Sequence, residues 1–108
     1  MSDNQEPLYT VATMPAFERW FKKLRNRIVK AQIIDRLARI ETEGFFGDSE
    51  GVGDGVSELR FHVGPGYRVY YAIRGNVIVL LLCGGNKSTQ QDDIKKAKAL
   101  LEEVEDED

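Results

Sequence analysis

The sequence has little material for covalent or metal-based stabilisation, since its 108 residues include one cysteine and one histidine. A single cysteine, Cys83, cannot close a disulfide within the chain, so nothing points to an oxidising compartment. No Cys and His spacing typical of a zinc site occurs. The glycine-rich stretch 44–56 lacks the Gly-Lys-Ser/Thr of a phosphate-binding loop. We therefore expect neither a metal nor a cofactor.

Long apolar runs are also missing. The longest, VIVLLLC at 77–83, is too short to span a bilayer. The first residues lack the basic and apolar regions of a signal peptide. We therefore expect a cytoplasmic protein with no membrane contact, and the length favours a single domain.

Charge is unevenly distributed along the chain. The formal net charge is -3, but the segment 102–108, EEVEDED, is almost entirely acidic, whereas residues 19–39 hold eight Arg and Lys against one acid. Two interpretations are open: a solvated helix face with a frayed terminus, or a polyanion-binding face beside an acidic tail that competes for it. We predict a domain over 1–101 and a disordered tail over 102–108.

Hydrophobic periodicity predicts an α+β fold in the order β-α-α-β-β-β-α. Apolar residues at helical spacing indicate two short helices that form a hairpin on one face of the sheet. Alternation indicates strands, and these give a mainly antiparallel four-stranded sheet. The predicted elements are a strand at 6–11, helices at 15–26 and 27–43, a loop at 44–56, strands at 57–63, 67–74 and 77–83, and a last helix from Ser88 or Thr89, where a capping box is expected.

The stretch ELRFHVGPGYRVYY, 58–71, predicts a hairpin with a polar face. Its alternation gives one face to Glu58, Arg60, His62, Arg68 and Tyr70. Arg60 and Arg68, together with Lys87 after the strand predicted at 77–83, could hold a phosphate. His62 is of a residue type that can transfer protons near neutral pH. The alternatives are a hydrogen-bonded surface histidine and edge arginines that oppose aggregation.

The same stretch, followed by VIVLLLCGGNKSTQQDDIKKAKAL and preceded by FERWFKKLRNRIVKAQIIDRLARIETEGFFGD, resembles the phage-derived addiction-module killer proteins of the RelE/HigB toxin superfamily. The resemblance implies a RelE-like fold and a toxin of a type II toxin–antitoxin module. It further implies a metal-independent mRNA endoribonuclease acting on ribosome-bound mRNA. The implied partners are a helix-turn-helix antitoxin, which mainly sets the oligomeric state, and mRNA with the ribosome.

The resemblance also assigns roles to residues. Arg68 and Lys87 would stabilise the transition state, Arg60 would bind a flanking phosphate, and His62 would serve as base or acid. Further candidate RNA-binding residues are Tyr70, Arg74, Lys22, Lys23 and Arg25. Two other functions remain open: a non-catalytic protein of this fold that binds the antitoxin and tunes transcription, and a general RNA-binding domain, for which salt-sensitive binding without cleavage is expected.

Overall fold

The sheet has five strands, and three of them correspond to the consecutive strands predicted at 57–63, 67–74 and 77–83. The computed structural model describes residues 7–106. Its elements are β1 (Thr10–Thr13), α1 (Pro15–Lys23), α2 (Arg27–Glu43), β2 (Ser49–Gly53), β3 (Val56–Phe61), β4 (Tyr67–Arg74), β5 (Ile78–Asn86), a 3-10 turn (Lys87–Thr89) and α3 (Gln90–Asp106). The α+β class and the helical hairpin are confirmed.

The strands lie in the order β1-β5-β4-β3-β2, with β1 parallel to β5 and all other neighbours antiparallel. The predicted first strand, 6–11, is displaced to Thr10–Thr13, and its residue 6 lies outside the described residues. α1 ends at Lys23, before the predicted 26, and β5 runs past the predicted end at 83. Among residues 7–106, none of the helices has the length and apolar character needed to cross a membrane.

The prediction of four strands is wrong by one, because β2 lies in the segment 44–56 that was assigned to a loop. The sequence of β2, SEGVG, has no apolar alternation, and an edge strand of this kind forms by backbone pairing with β3. The turn between them has positive φ at Asp54 (55°) and Gly55 (81°), the conformation that Asp-Gly favours in tight hairpins.

Each face of the sheet has its own core. α1 and α2 cover one face, where the buried side chains include Phe17, Val29, Ile33, Ile40, Leu59, Phe61, Val69, Tyr71, Val79 and Leu81. α3 covers the other face and packs on Val56, Tyr70, Ala72, Leu80, Leu82 and Cys83 through Ala97 and Leu101. The last helix therefore shields the second face of the sheet.

The core-facing side of α2 includes only some of its apolar residues. Ile28 and Ile34 are exposed, whereas Val29 and Ile33 are fully buried. Apolar residues lie almost all around this helix, so periodicity alone does not select one face. The packing of α2 against the sheet decides it.

α3 begins and ends differently from the prediction. Asn86 caps the 3-10 turn that leads into α3, and its side chain accepts hydrogen bonds from the N–H groups of Ser88 (2.9 Å) and Thr89 (3.3 Å). The helix continues through Asp106 and so includes residues 102–106 of the predicted tail. The reason is that Val104 extends the apolar stripe that packs on the second core. Residues 107–108 of the predicted tail lie outside the described residues.

Candidate functional site

Two adjacent glycines at the end of β5 let helices approach the sheet from both sides. A Cβ added at Gly84 would lie 2.3 Å from the Trp20 ring, and one added at Gly85 would lie 1.8 Å from Asp93 Oδ2. Trp20 therefore packs directly on the strand, and the first turn of α3 lies against the opposite face. This close approach fixes the start of α3 above the polar residues of β3 and β4.

A buried carboxylate, Glu58, lies at the centre of this polar group. Its side chain is 1% exposed, and it is the one charged residue that is buried among those the structure describes. Glu58 Oε2 accepts a hydrogen bond from Arg60 Nε at 2.8 Å, while Oε1 lies 3.5 Å from Arg68 Nε and 3.3 Å from Gln90 Nε2. A carboxylate is tolerated at such a depth only when cations and donors surround it.

Arg60 is surrounded by carboxylates. Besides Glu58, its guanidinium forms ion pairs with Glu50 and, at 3.5 Å, with Asp48 Oδ1. The prediction assigned this residue to a flanking phosphate. In the structure, the side chain instead joins β2 to β3 and holds the end of the 44–48 connection.

His62 and Asp48 form a pair at the end of the hairpin. His62 Nε2 lies 2.5 Å from Asp48 Oδ2, and the histidine side chain is 76% exposed. The hydrogen bond from His62 is the main cause that lowers the pKa of Asp48 from its ordinary value of 3.8, and nearby Arg60 adds to the shift. His62 is therefore held by its Nε2 side while the rest of the ring faces solvent.

Arg68 and Lys87 meet at the Gly64–Gly66 turn. The Lys87 N–H donates to the Gly66 carbonyl at 3.0 Å. A Cβ added at Gly66 would lie 3.6 Å from Lys87 Cβ and 4.0 Å from Arg68 Nη1. Lys87 is exposed, whereas the Arg68 side chain is only 13% exposed.

Tyr70, one of the candidate RNA-binding residues, lies inside the protein. Tyr70 is fully buried under α3 and belongs to the second core. Its Oη finds no hydrogen-bond partner in the described part of the chain, and burial raises the pKa of the phenol. A ring in this position contributes to packing instead of to a nucleic-acid surface.

The other predicted RNA-binding residues lie in two separate regions. Lys22 and Lys23 are exposed in the last turn of α1, and Arg25 follows in the connection to α2. That connection adjoins the Gly64–Gly66 turn, since a Cβ at Gly64 would lie 3.9 Å from Asn26 Nδ2. Arg74 lies at the opposite end of β4 from Arg68, roughly 20 Å away at about 3.3 Å per strand residue. It is not part of the same group.

Two residues of this site were not predicted from the sequence. Asp48 lies in the segment assigned to a loop, and Gln90 lies in the first turn of α3. The pairing of β2 with β3 brings Asp48 to His62, and the docking of α3 brings Gln90 to Glu58. Neither has a local sequence signal. No group of three His, Cys, Asp or Glu side chains in residues 7–106 is arranged to hold a metal ion.

The fold is that of RelE-like α+β proteins. The chain is similar to the Escherichia coli toxin RelE, a double mutant in the free state, with a TM-score of 0.66 over 85% of this chain and 95% of that chain, at 16% identity. It is also similar to the toxin–antitoxin complex RelBE2 of Mycobacterium tuberculosis, with a TM-score of 0.58 over 81% and 99% of the chains, at 22% identity. At such identities the likeness establishes the fold.

The sequence identifies the family more narrowly. The family model of phage-derived protein Gp49-like (DUF891) matches residues 19–103, and the chain belongs to this family. An uncharacterised protein of Haemophilus influenzae is 48% identical over 94 residues, which cover 87% of this chain and 94% of that protein. The resemblance to phage-derived RelE-like proteins, predicted from the 58–71 stretch and its flanks, is confirmed.

Proposed function

We propose that the chain is the toxin of a type II toxin–antitoxin module and that it cleaves mRNA, as a metal-independent endoribonuclease acting on ribosome-bound message. The observation that carries this proposal is the meeting of Arg68 and Lys87 at the Gly64–Gly66 turn, on a fold shared with RelE toxins. His62 follows β3 at the same end of the sheet. The site thus combines cations for a phosphate with a group that can transfer a proton.

The chemistry required is attack by a ribose 2′-OH on the adjacent phosphorus. The O2′–P bond forms while the P–O5′ bond breaks, which leaves a cyclic phosphate and a 5′-hydroxyl. A base takes the 2′ proton, an acid supplies a proton to the leaving oxygen, and cations stabilise the negative charge on the phosphorane. Arg68 and Lys87 carry out the last of these tasks, and His62 carries out a proton transfer.

The orientation of Arg68 suits this role although little of it is exposed. Its Nε forms an ion pair with Glu58 Oε1 at 3.5 Å, while Nη1 lies beside Gly66. Glu58 therefore attracts one edge of the guanidinium, and the edge with Nη1 lies at the turn. An arginine fixed in this way presents two donors to a phosphate with little loss of side-chain entropy on binding.

Partners follow from the same proposal. Two of the similar structures are complexes of a toxin with its antitoxin, from Mycobacterium tuberculosis and E. coli. We expect a helix-turn-helix antitoxin to bind this chain, to set its oligomeric state and to suppress its activity in the cytoplasm. The exposed Lys22, Lys23 and Arg25 add positive charge beside the site, where mRNA or the ribosome would bind.

One observation favours a second function, a non-catalytic member of this fold that binds the antitoxin and tunes transcription. Glu58 lies between Arg60 and Arg68 and compensates their charge, and the Arg68 side chain is only 13% exposed. Such an arrangement weakens the attraction of the site for phosphate. The two functions agree on the partner and differ on cleavage.

The deciding experiment maps RNA 5′ and 3′ ends after induced expression of the chain alone, beside Lys87→Ala. Lys87 is exposed, so its replacement leaves the core untouched. Lys96→Ala is the matched control, since Lys96 is an equally exposed lysine on α3 away from the turn. New cuts within translated messages that Lys87→Ala loses and Lys96→Ala keeps would support the nuclease. Intact transcripts with folded protein present would favour the non-catalytic function.

A further inference from the structure

We infer that Asp48 is a positioning residue for His62: it holds the imidazole by Nε2 so that Nδ1 is the basic atom presented to RNA, while Arg60 holds Asp48 instead of binding phosphate. The inference rests on the proposed function and deepens it. It selects the base among the two roles open to His62. It also gives a task to an aspartate that has no motif of its own.

The identity of the donor in the pair follows from the chemistry of a carboxylate. An ionised aspartate can only accept hydrogen bonds, so the atom 2.5 Å from Asp48 Oδ2 must be a protonated Nε2. The lowered pKa of Asp48 is consistent with a carboxylate that stays ionised near neutral pH. In a neutral imidazole with Nε2–H, Nδ1 keeps its lone pair and can take a proton.

The aspartate is itself held in place from two directions. Its backbone carbonyl accepts hydrogen bonds from Arg60 N–H at 2.9 Å and from Arg36 Nη1 at 3.5 Å. Its Oδ1 lies 3.5 Å from Arg60 Nη1, leaving Oδ2 for the histidine. Asp48 is thus attached both to β3 and to α2.

Arg60 is occupied in a manner that fits a holding role. Its Nε donates to the buried Glu58 at 2.8 Å, and its two Nη atoms form ion pairs with Glu50 and Asp48. A phosphate would have to displace one of these carboxylates. The chain of contacts runs from a buried carboxylate, through a fixed guanidinium, to the carboxylate that orients His62.

The first test compares Asp48→Ala with Glu50→Ala in single-turnover cleavage of a defined RNA by the full chain. Both variants remove a carboxylate from Arg60, but only Asp48 contacts His62, which makes Glu50 the matched control. We expect Asp48→Ala to lower the rate at saturating RNA by about 10- to 100-fold, by analogy with the loss of a carboxylate that orients a metal-bound histidine. The RNA concentration for half-maximal rate should change little, and Glu50→Ala should cleave normally.

The second test is whether Asp48 acts through His62. In a His62→Ala background, Asp48→Ala should cause no further loss, since there is no imidazole left to orient. A rate that falls by the same factor in both backgrounds would overturn the inference and assign Asp48 a general structural role. Activity of Asp48→Ala equal to that of Glu50→Ala would overturn it as well.

The third test does not depend on cleavage. His62 is the single histidine of the chain, so an imidazole N–H proton resonance in its NMR spectrum has one source. A protected, downfield Nε2–H signal that Glu50→Ala keeps and Asp48→Ala loses would support the pairing. A spectrum unaffected by Asp48→Ala would overturn it. If the unaltered chain cuts no RNA while this signal depends on Asp48, the proposed function fails and the pairing is supported.

Discussion

The buried carboxylate Glu58 allows a controlled test of the site, because Arg60 forms ion pairs both with Glu58 and with an exposed carboxylate, Glu50. Glu58 is 1% exposed and Glu50 is 64% exposed, and both contact Arg60. Removing one partner of a buried ion pair costs about 3–5 kcal/mol. Here Arg60 keeps two other carboxylates and glutamine preserves the volume, so we expect Glu58→Gln to cost about 2–3 kcal/mol, chiefly through Arg68. Glu50→Gln should cost about 0.5 kcal/mol or less, because its charge is solvated.

The assay is thermal and urea unfolding of the purified variants at neutral pH. For a domain of this size, a loss of 2–3 kcal/mol corresponds to a drop in Tm of roughly 10–20 °C. Glu50→Gln should stay within roughly 3 °C of the unaltered chain. If the two variants were equally stable, Glu58 would not compensate the arginines in the folded state, and the account of a carboxylate-centred site would be refuted.

Three further predictions concern the sheet and its edges. Tyr70→Phe should raise stability by about 1 kcal/mol, because it removes a buried hydroxyl that has no partner among the described residues; a loss measured by urea unfolding would contradict this. Gly84→Ala should cost about 2–4 kcal/mol, since its Cβ would overlap the Trp20 ring, whereas Gly51→Ala, with Ser57 Oγ 3.9 Å away, should be close to neutral in the same assay. Asp48→Asn should weaken the dependence of the unfolding free energy on pH in the acid range. The pKa of Asp48 is lowered in the folded state, so the carboxylate stabilises the fold above its unfolded-state pKa. This stabilisation disappears as the pH falls through its folded-state pKa. If the unfolding free energy of the variant and of the unaltered chain changed equally with pH, the pair of Asp48 and His62 would not form in solution.

Much of the fold follows from local patterns in the sequence. Alternation in β3 and β4, the Gly64–Gly66 turn and the Gly75-Asn76 turn specify the central hairpins, because each pattern carries its own period and its own turn chemistry. β2 was not predicted because this edge strand forms by backbone pairing, and its glycines and acid give no apolar alternation.

The candidate site was harder to predict, because its character depends on what α3 covers. Alternation correctly assigned Glu58, Arg60, Arg68 and Tyr70 to one face of the sheet. It could not show that α3 packs on this face and buries Tyr70, or that the Arg68 side chain is only 13% exposed. Asp48 could not be found at all, since its partner His62 lies 14 residues away and only tertiary pairing joins them.

The parallel pairing of β1 with β5 has a consequence for the order in which the chain can fold. Thr10 pairs with Ile78, whereas β2 to β5 form successive hairpins of neighbouring segments. Local hairpins close rapidly, and a contact across most of the chain carries a much larger loop-closure cost. During synthesis, β1 has no strand to pair with until β5 has left the exit tunnel. We therefore expect β1 to be the last strand to join the sheet, and the contact of Trp20 with β5 to form only after β5 has been synthesised.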